Sequence, residues 1–272
     1  MFFFSTASTA TASRSTTAVR VSGGPDRLLP WLAPCALLLV WMLATRHAGD
    51  GGVHILVSPG QVAEAVQELV RSGELWLHLR ASLLRLATGY GVGVGLGLAY
   101  GLVAGALPSV EALFGPTFHA VRQVPSIAFI PMLILMFGVE ETFKIVVVAK
   151  STFFPVALAT VEAVRGVPRR YRDVARVYRV RGLALARFIL LPAVVPPVVT
   201  GLRIALGRSW MVLVAAEILA AESGLGQMME RGRQMLRLDV VLVGVLVTGL
   251  AGFALERGMR VLERRLGRWR QA

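Results

Sequence analysis

Apolar residues recur along this chain in six runs long enough, or nearly so, to cross a bilayer: Leu28 to Ala44, Leu86 to Leu107, Gln123 to Val139, Ile145 to Val164, Gly201 to Ala221 and Val240 to Leu255. The pattern predicts an all-α integral membrane fold of about six transmembrane helices. Pro125 and Pro131 interrupt the third run. In the second run, Gly89, Gly93, Gly97, Gly101 and Gly105 keep a four-residue period that clears one stripe of the helix of side chains. Two readings stand: close packing against a neighbouring helix, or a lining of a transport path. Ser58 and Pro59 start a short helix between the first two runs, with Val62, Ala65, Val66 and Leu69 at helical spacing. It is expected to lie along the outer membrane surface, and Trp76 suits an interfacial anchor ahead of the second run.

Composition agrees: of 272 residues, 55% are hydrophobic and 17% charged, and the mean hydropathy is +0.65. The spans leave no room for a separate soluble catalytic domain of ordinary size. Residues 1–27, rich in Ser, Thr and Ala with Arg14, Arg20 and Arg27, read as a flexible basic tail; their order does not match a cleaved signal peptide. Residues 28–265 form the membrane domain, and 266–272 a C-terminal tail. The net charge of +13 is carried almost wholly by Arg in the connectors, a pattern that anionic headgroups explain and nucleic acid does not. With the N-terminal tail inside, 18 basic side chains fall on that side and 8 on the other, so both termini are expected in the cytoplasm.

The chemistry of enzymes is missing from the pattern. Cys35 is the single cysteine, so no disulfide forms within the chain. His47, His54, His78 and His119 sit in connectors or at their edges, away from any membrane serine nucleophile, and no cluster has metal-ligand spacing. Lys150-Ser151 is the only Lys-Ser pair, and Val147, Val148 and Ala149 precede it where a phosphate-cradling loop needs glycines. No catalytic residue, metal or bound cofactor is expected. No inverted repeat of the kind seen in secondary carriers is apparent, although composition alone leaves a channel or stand-alone carrier open.

One connector differs from the rest. From Pro168, Tyr171, Val174, Ala175 and Tyr178 form an apolar face, while Arg165, Arg169, Arg172, Arg176 and Arg179 form a separate stripe. Gly182 can end that helix, and Leu183, Ala186, Ile189 and Leu190 begin a second short one before Pro192 and Pro196-Pro197. This loop resembles that of the permease subunits of bacterial ATP-binding-cassette importers, which carry a Glu-Ala-Ala triplet, a glycine four residues on, and a later Leu-Pro. Anchored on Leu191-Pro192, Asp173-Val174-Ala175 takes the place of the triplet, and Arg179 stands where the family has glycine. The first coupling helix is then expected to run about one turn longer and to break at Gly182.

The resemblance covers residues 28 to 270 and is closest to the aliphatic-sulfonate, taurine and nitrate group. Its further marks are Ser58-Pro59, the run Ser72 to Leu79, Val124-Pro125-Ser126, Phe137-Gly138, Phe153-Phe154-Pro155, the run Gly201 to Gly207, and Gly224-Leu225-Gly226. It implies the type I (MetI-like) permease architecture in a bacterial cytoplasmic membrane, a homodimer, two ATPase subunits that bind ATP and Mg under the loop, and an external solute-binding protein. The solute it implies is a small anion, a sulfonate first, with nitrate, taurine, bicarbonate or a pyrimidine precursor as alternatives.

Four residues are candidates for the solute path: Lys150, Ser126, Arg203 and Glu217. Lys150, about 8 Å inside the outer end of the fourth run, either attracts an anionic head or is satisfied by snorkelling or by an acid such as Glu217. Arg203 and Arg208 either meet lipid phosphate or take part in gating. Glu217 would repel an anion, which favours a structural partner for it.

Overall fold

The computed structural model describes residues 29–47, 57–168, 177, 178, 184 and 191–267. The chain divides into two units, Met1–Leu56 and Val57–Ala272. In the first, α1 (Leu29–His47) is a helix whose side chains Leu37, Leu38, Leu39 and Val40 are all exposed, and its apolar stretch is the short one, Leu32–Thr45.

The second unit opens with α2 (Pro59–Arg71), capped as its sequence requires: the Gln61 amide donates to Ser58 Oγ, and the Ser58 amide donates to Gln61 Oε1. Val62, Ala65 and Leu69 form its buried face. Arg237 reaches across to Glu68 with two hydrogen bonds of 2.8 and 2.7 Å, which hold the Glu68 carboxyl below its ordinary value. A depressed carboxylate contributes stability above its unfolded pKa and loses it on acidification. The protection factors of the α2 amides, from which the intrinsic pH dependence of exchange is removed, are therefore expected to stay flat from pH 8 to 6 and to fall as the pH drops below about 4.5, the carboxyl's ordinary value. Exchange in α2 that ignores this range would remove the pair from the account of how α2 is held.

Among the described residues, four helices are long and apolar enough to cross a membrane: α3 (Glu74–Ala106), α6 (Glu141–Arg165), α7 (Leu191–Leu219) and α9 (Leu238–Gly267). Two of them start well before the expected positions. α3 begins at Glu74 rather than Leu86, which brings Trp76, His78 and Arg85 inside the helix. α7 begins at Leu191 and takes Pro192, Pro196 and Pro197 into its first turns, a stretch that the sequence pattern assigns to the loop. Proline suits the first turn, and interior prolines in membrane helices persist where neighbouring groups satisfy the freed carbonyls.

The third expected span is not one helix. α4 (Pro108–Gln123) and a 3₁₀ turn (Ser126–Phe129) running into α5 (Ile130–Phe137) form a pair bent by 88°. The bend follows from Pro125, which lacks an N–H and holds Val124 extended at φ −74°, ψ 119°. α5 turns Ile130 and Leu133 inward against Phe143, Val147 and Ala216, and leaves Leu135 and Met136 exposed. A short helix, α8 (Leu225–Gln234), joins α7 to α9.

The glycine stripe of α3 lies against α6. A methyl group on Gly89 would stand 2.7 Å from Val148 Cβ, on Gly93 2.5 Å from Thr152 Cβ, on Gly97 2.9 Å from Val156 Cβ, on Gly101 2.5 Å from Thr160 Cβ, and on Gly105 2.8 Å from Val164 Cβ. All are closer than side chains approach, so each site requires glycine. The pairs advance in step along both helices, so α3 and α6 run parallel. The Arg165 guanidinium closes the seam at its far end by donating to the Ala104 carbonyl. α7 is held across it by Tyr90, whose hydroxyl donates to the Leu202 carbonyl at 2.8 Å, and by the buried Thr152–Ser209 hydroxyl pair at 2.6 Å.

Candidate functional site

One register step before Gly89 and Val148, the same seam brings Arg85 of α3 beside Lys144 of α6. Two cations meet where the glycines had made room, and both are buried, at 4% and 2% side-chain exposure. The Glu141 carboxylate bridges them, 2.6 Å from Arg85 Nη2 and 3.2 Å from Lys144 Nζ. From α7, fully buried Glu217 takes a hydrogen bond from Arg85 Nη1 at 2.9 Å. Two positive and two negative charges balance, which is what burial of ions demands.

The cluster also positions the turn between α7 and α8. Arg85 donates to the Ser223 carbonyl and hydroxyl. The Gly224 amide donates to His78 Nδ1 at 3.0 Å, the Leu225 amide to Ser82 Oγ at 2.9 Å and the Gly226 amide to Glu217 Oε2 at 3.1 Å. Three consecutive free amides of a helix start are thereby satisfied, with a carboxylate at the positive end of the α8 dipole. Gly224 sits at φ +115°, and a Cβ there would collide with the Glu217 carboxylate. The expected role of Glu217 as a partner of Lys150 is therefore corrected: its partners are Arg85 and Ser82.

Lys150 is the tenth residue of α6, about 14 Å from its first. It lies deeper than the expected 8 Å because the helix starts at Glu141 and not at Ile145. Its ammonium donates to the Val124 carbonyl at 3.0 Å and stands 4.2 Å from the Phe129 ring and 5.4 Å from the Phe154 ring. Among the described residues it has no carboxylate partner. Ser126 begins the 3₁₀ turn on the far side of the same break, half-buried. Phe154 continues into an aromatic group with Phe118, Phe153 and Tyr100.

Arg203 lies away from this break. It pairs with Glu263 of α9 at 3.4 Å, and Glu263 also accepts from Thr200; Arg208 is exposed. Of the coupling-loop residues, Tyr171, Asp173, Val174, Ala175, Arg179 and Gly182 lie outside the described residues. Tyr178 is exposed, and Pro192 is the second residue of α7. α6 ends at Arg165, at the end of the bundle opposite the charge cluster. No group of three or more His, Cys, Asp or Glu among the described residues could hold a metal ion.

A bundle of long apolar helices, with a bent helix pair beside them and an Arg-rich connector in the sequence, defines a multi-pass membrane protein. Residues 91–268 match the family model of the binding-protein-dependent transport system inner membrane component, and the chain belongs to that family. It is a membrane subunit of a transporter and not an enzyme, and its family implies an ATPase and a binding protein as partners. Among similar proteins, the putative aliphatic sulfonates transport permease SsuC of Escherichia coli K12 is 37% identical, over 90% of this chain and 93% of that one. SsuC of Bacillus subtilis 168 is 35% identical over 89% and 87%. The taurine permease TauC of E. coli is 38% identical over 72% and 71%. A solved structure of the MetNI methionine transporter in an inward-facing conformation is 20% identical, with a TM-score of 0.47, covering 71% of this chain and 95% of that one.

Proposed function

We propose that this chain forms the transmembrane path of an importer for a small organic anion, an aliphatic sulfonate. The likeness to two aliphatic-sulfonate permeases over about nine-tenths of the chain carries this reading. Two copies enclose the path, with both termini and the 166–191 loop in the cytoplasm. Two ATPase subunits dock under the loops and bind the ATP and Mg, while a binding protein delivers solute to the opposite face. The charge bias of the connectors supports this orientation. Closure of the ATPases draws the loops together and shifts the path from inward-facing to outward-facing, a shift that the loaded binding protein also favours.

In this reading Tyr171, Val174, Ala175 and Tyr178 are the face held in the ATPase groove, as an amphipathic helix in a cleft. Ala175→Arg places a charge in that face and is expected to abolish solute-stimulated ATP hydrolysis while leaving the membrane fold and its melting temperature unchanged. Unaltered transport by that variant would sink the loop assignment. Of the four path candidates, Lys150 with Ser126 has surroundings suited to an anion, whereas Arg203 and Glu217 are engaged by structural partners.

The reading is tested with this chain purified together with its candidate ATPase in proteoliposomes. ATP hydrolysis is expected to rise only when the binding protein and an alkanesulfonate are both present. Stimulation by taurine alone would favour the transport that the TauC likeness suggests. An absence of any associating ATPase would leave a channel or carrier.

A further inference from the structure

We infer that the broken span holds a substrate seat of the permease itself, with Lys150 as the anion contact and Phe129 and Phe154 as the wall for an uncharged apolar tail. This rests on the reading of the chain as an anion importer. Three observations carry it. The first is the break: non-helical backbone at membrane depth persists only where protein buries it or where it lines a watery cavity. Val124 and Ile127, either side of Pro125, remain 41% and 44% exposed, so this chain does not bury the break.

The second is charge balance. Arg85 and Lys144, which are buried in the bundle, each have a carboxylate, whereas Lys150 is half-buried. Lys150 has none among the described residues, and faces only a carbonyl and two rings. An unpaired charge within a span marks a functional site by default. The third is hydrogen-bonding capacity. An ammonium has three N–H groups, and the Val124 carbonyl takes one. Two remain for the oxygens of a sulfonate, while the rings that flank the ammonium offer apolar contact to whatever is attached to it.

The seat therefore selects by the group that the anionic head carries. Nitrate has no tail to lay on Phe129 and Phe154. Taurine carries an ammonium two carbons from its sulfonate, which would lie close to the Lys150 charge. An alkanesulfonate meets neither objection.

The experiment uses the complex of this chain with its ATPase in nanodiscs, without binding protein, and measures binding of pentanesulfonate, taurine and nitrate by calorimetry. Pentanesulfonate is expected to bind at least tenfold more tightly than the other two. Lys150→Met should weaken it tenfold or more, and Lys150→Arg should restore most of the loss. Phe154→Ala should weaken pentanesulfonate and leave nitrate unchanged. No binding by the wild-type complex, an unaffected Lys150→Met, or equal affinity for nitrate and pentanesulfonate would each overturn the seat. Pentanesulfonate binding that disappears when phosphatidylglycerol replaces phosphatidylcholine would assign the seat to an anionic lipid headgroup and overturn it as well. Binding-protein-dependent uptake of pentanesulfonate, measured separately in proteoliposomes, tests the importer reading: its loss there counts against the function, whereas uptake with no Lys150 dependence counts against the seat alone.

Discussion

Arg85→Met is expected to lower the thermal midpoint of the purified protein by roughly 10 °C, because removing one partner of a buried ion network costs about 3–5 kcal/mol. Methionine fills much of the space, so the loss is electrostatic. Glu217 is left fully buried without its cation, with only Ser82 and the Gly226 amide beside it. The double variant Arg85→Met/Glu217→Met removes one charge of each sign and leaves Lys144 with Glu141. It is expected to recover a substantial part of the loss, so that the two substitutions are strongly non-additive. Melting followed by tryptophan fluorescence in detergent reads all three proteins. An Arg85→Met protein that melts with the wild type would show the cluster to be a minor contributor, and simple additivity would separate Arg85 from Glu217.

The second large effect belongs to the seam. Gly93→Leu is expected to destabilise the protein by about 1–3 kcal/mol or more and to cost most of its transport, since overpacking moves backbone. The new Cβ alone would stand 2.5 Å from Thr152 Cβ and 2.6 Å from the Ala149 carbonyl, in fixed parts of α6. Pushing Thr152 away also strains its hydroxyl pair with Ser209. Gly91 and Gly95, on the same helix, face open space, with nothing within 4 Å of where a methyl group would stand. There Gly→Ala is expected to be neutral, or stabilising by up to about 1 kcal/mol through helix propensity. Equal melting temperatures for Gly93→Leu and the Gly91→Ala control would refute the close approach of α3 and α6.

Hydropathy made the long helices of this fold legible, and the four-residue glycine period marked the stripe at which two of them meet. It misplaced where they begin. A window on hydropathy stops at charges, and here Arg85 is inside the bundle because Glu141 and Glu217, far along the chain, neutralise it, while Lys144 is met by Glu141 one turn earlier on its own helix. The signal that could have found them is register. His78, Ser82 and Arg85 continue the stripe of Gly89 and Gly93 backwards along one helix face, and Lys144 does the same for Val148 and Thr152. Setting the start of the fourth span at Ile145 also places Lys150 too near the surface and suggests Glu217 as its partner. Pro125 announces an interruption, but the 88° turn there depends on where α5 finds a surface for Ile130 and Leu133. That surface is built by residues far along the chain, so no local pattern encodes it.

The seam between α3 and α6 has a mechanical consequence. Five glycines are each closed over by a side chain of the opposite helix, and neither helix can slide along the other without driving a Cβ into backbone. The two therefore behave as a single strut about 35 Å long over the length of α6. One end of it continues into the loop beyond Gly166; the other carries Glu141 and Lys144, and through Arg85 the turn before α8. A tilt of α6 at its Gly166 end is therefore expected to be felt at that turn, and a push on the turn at Gly166.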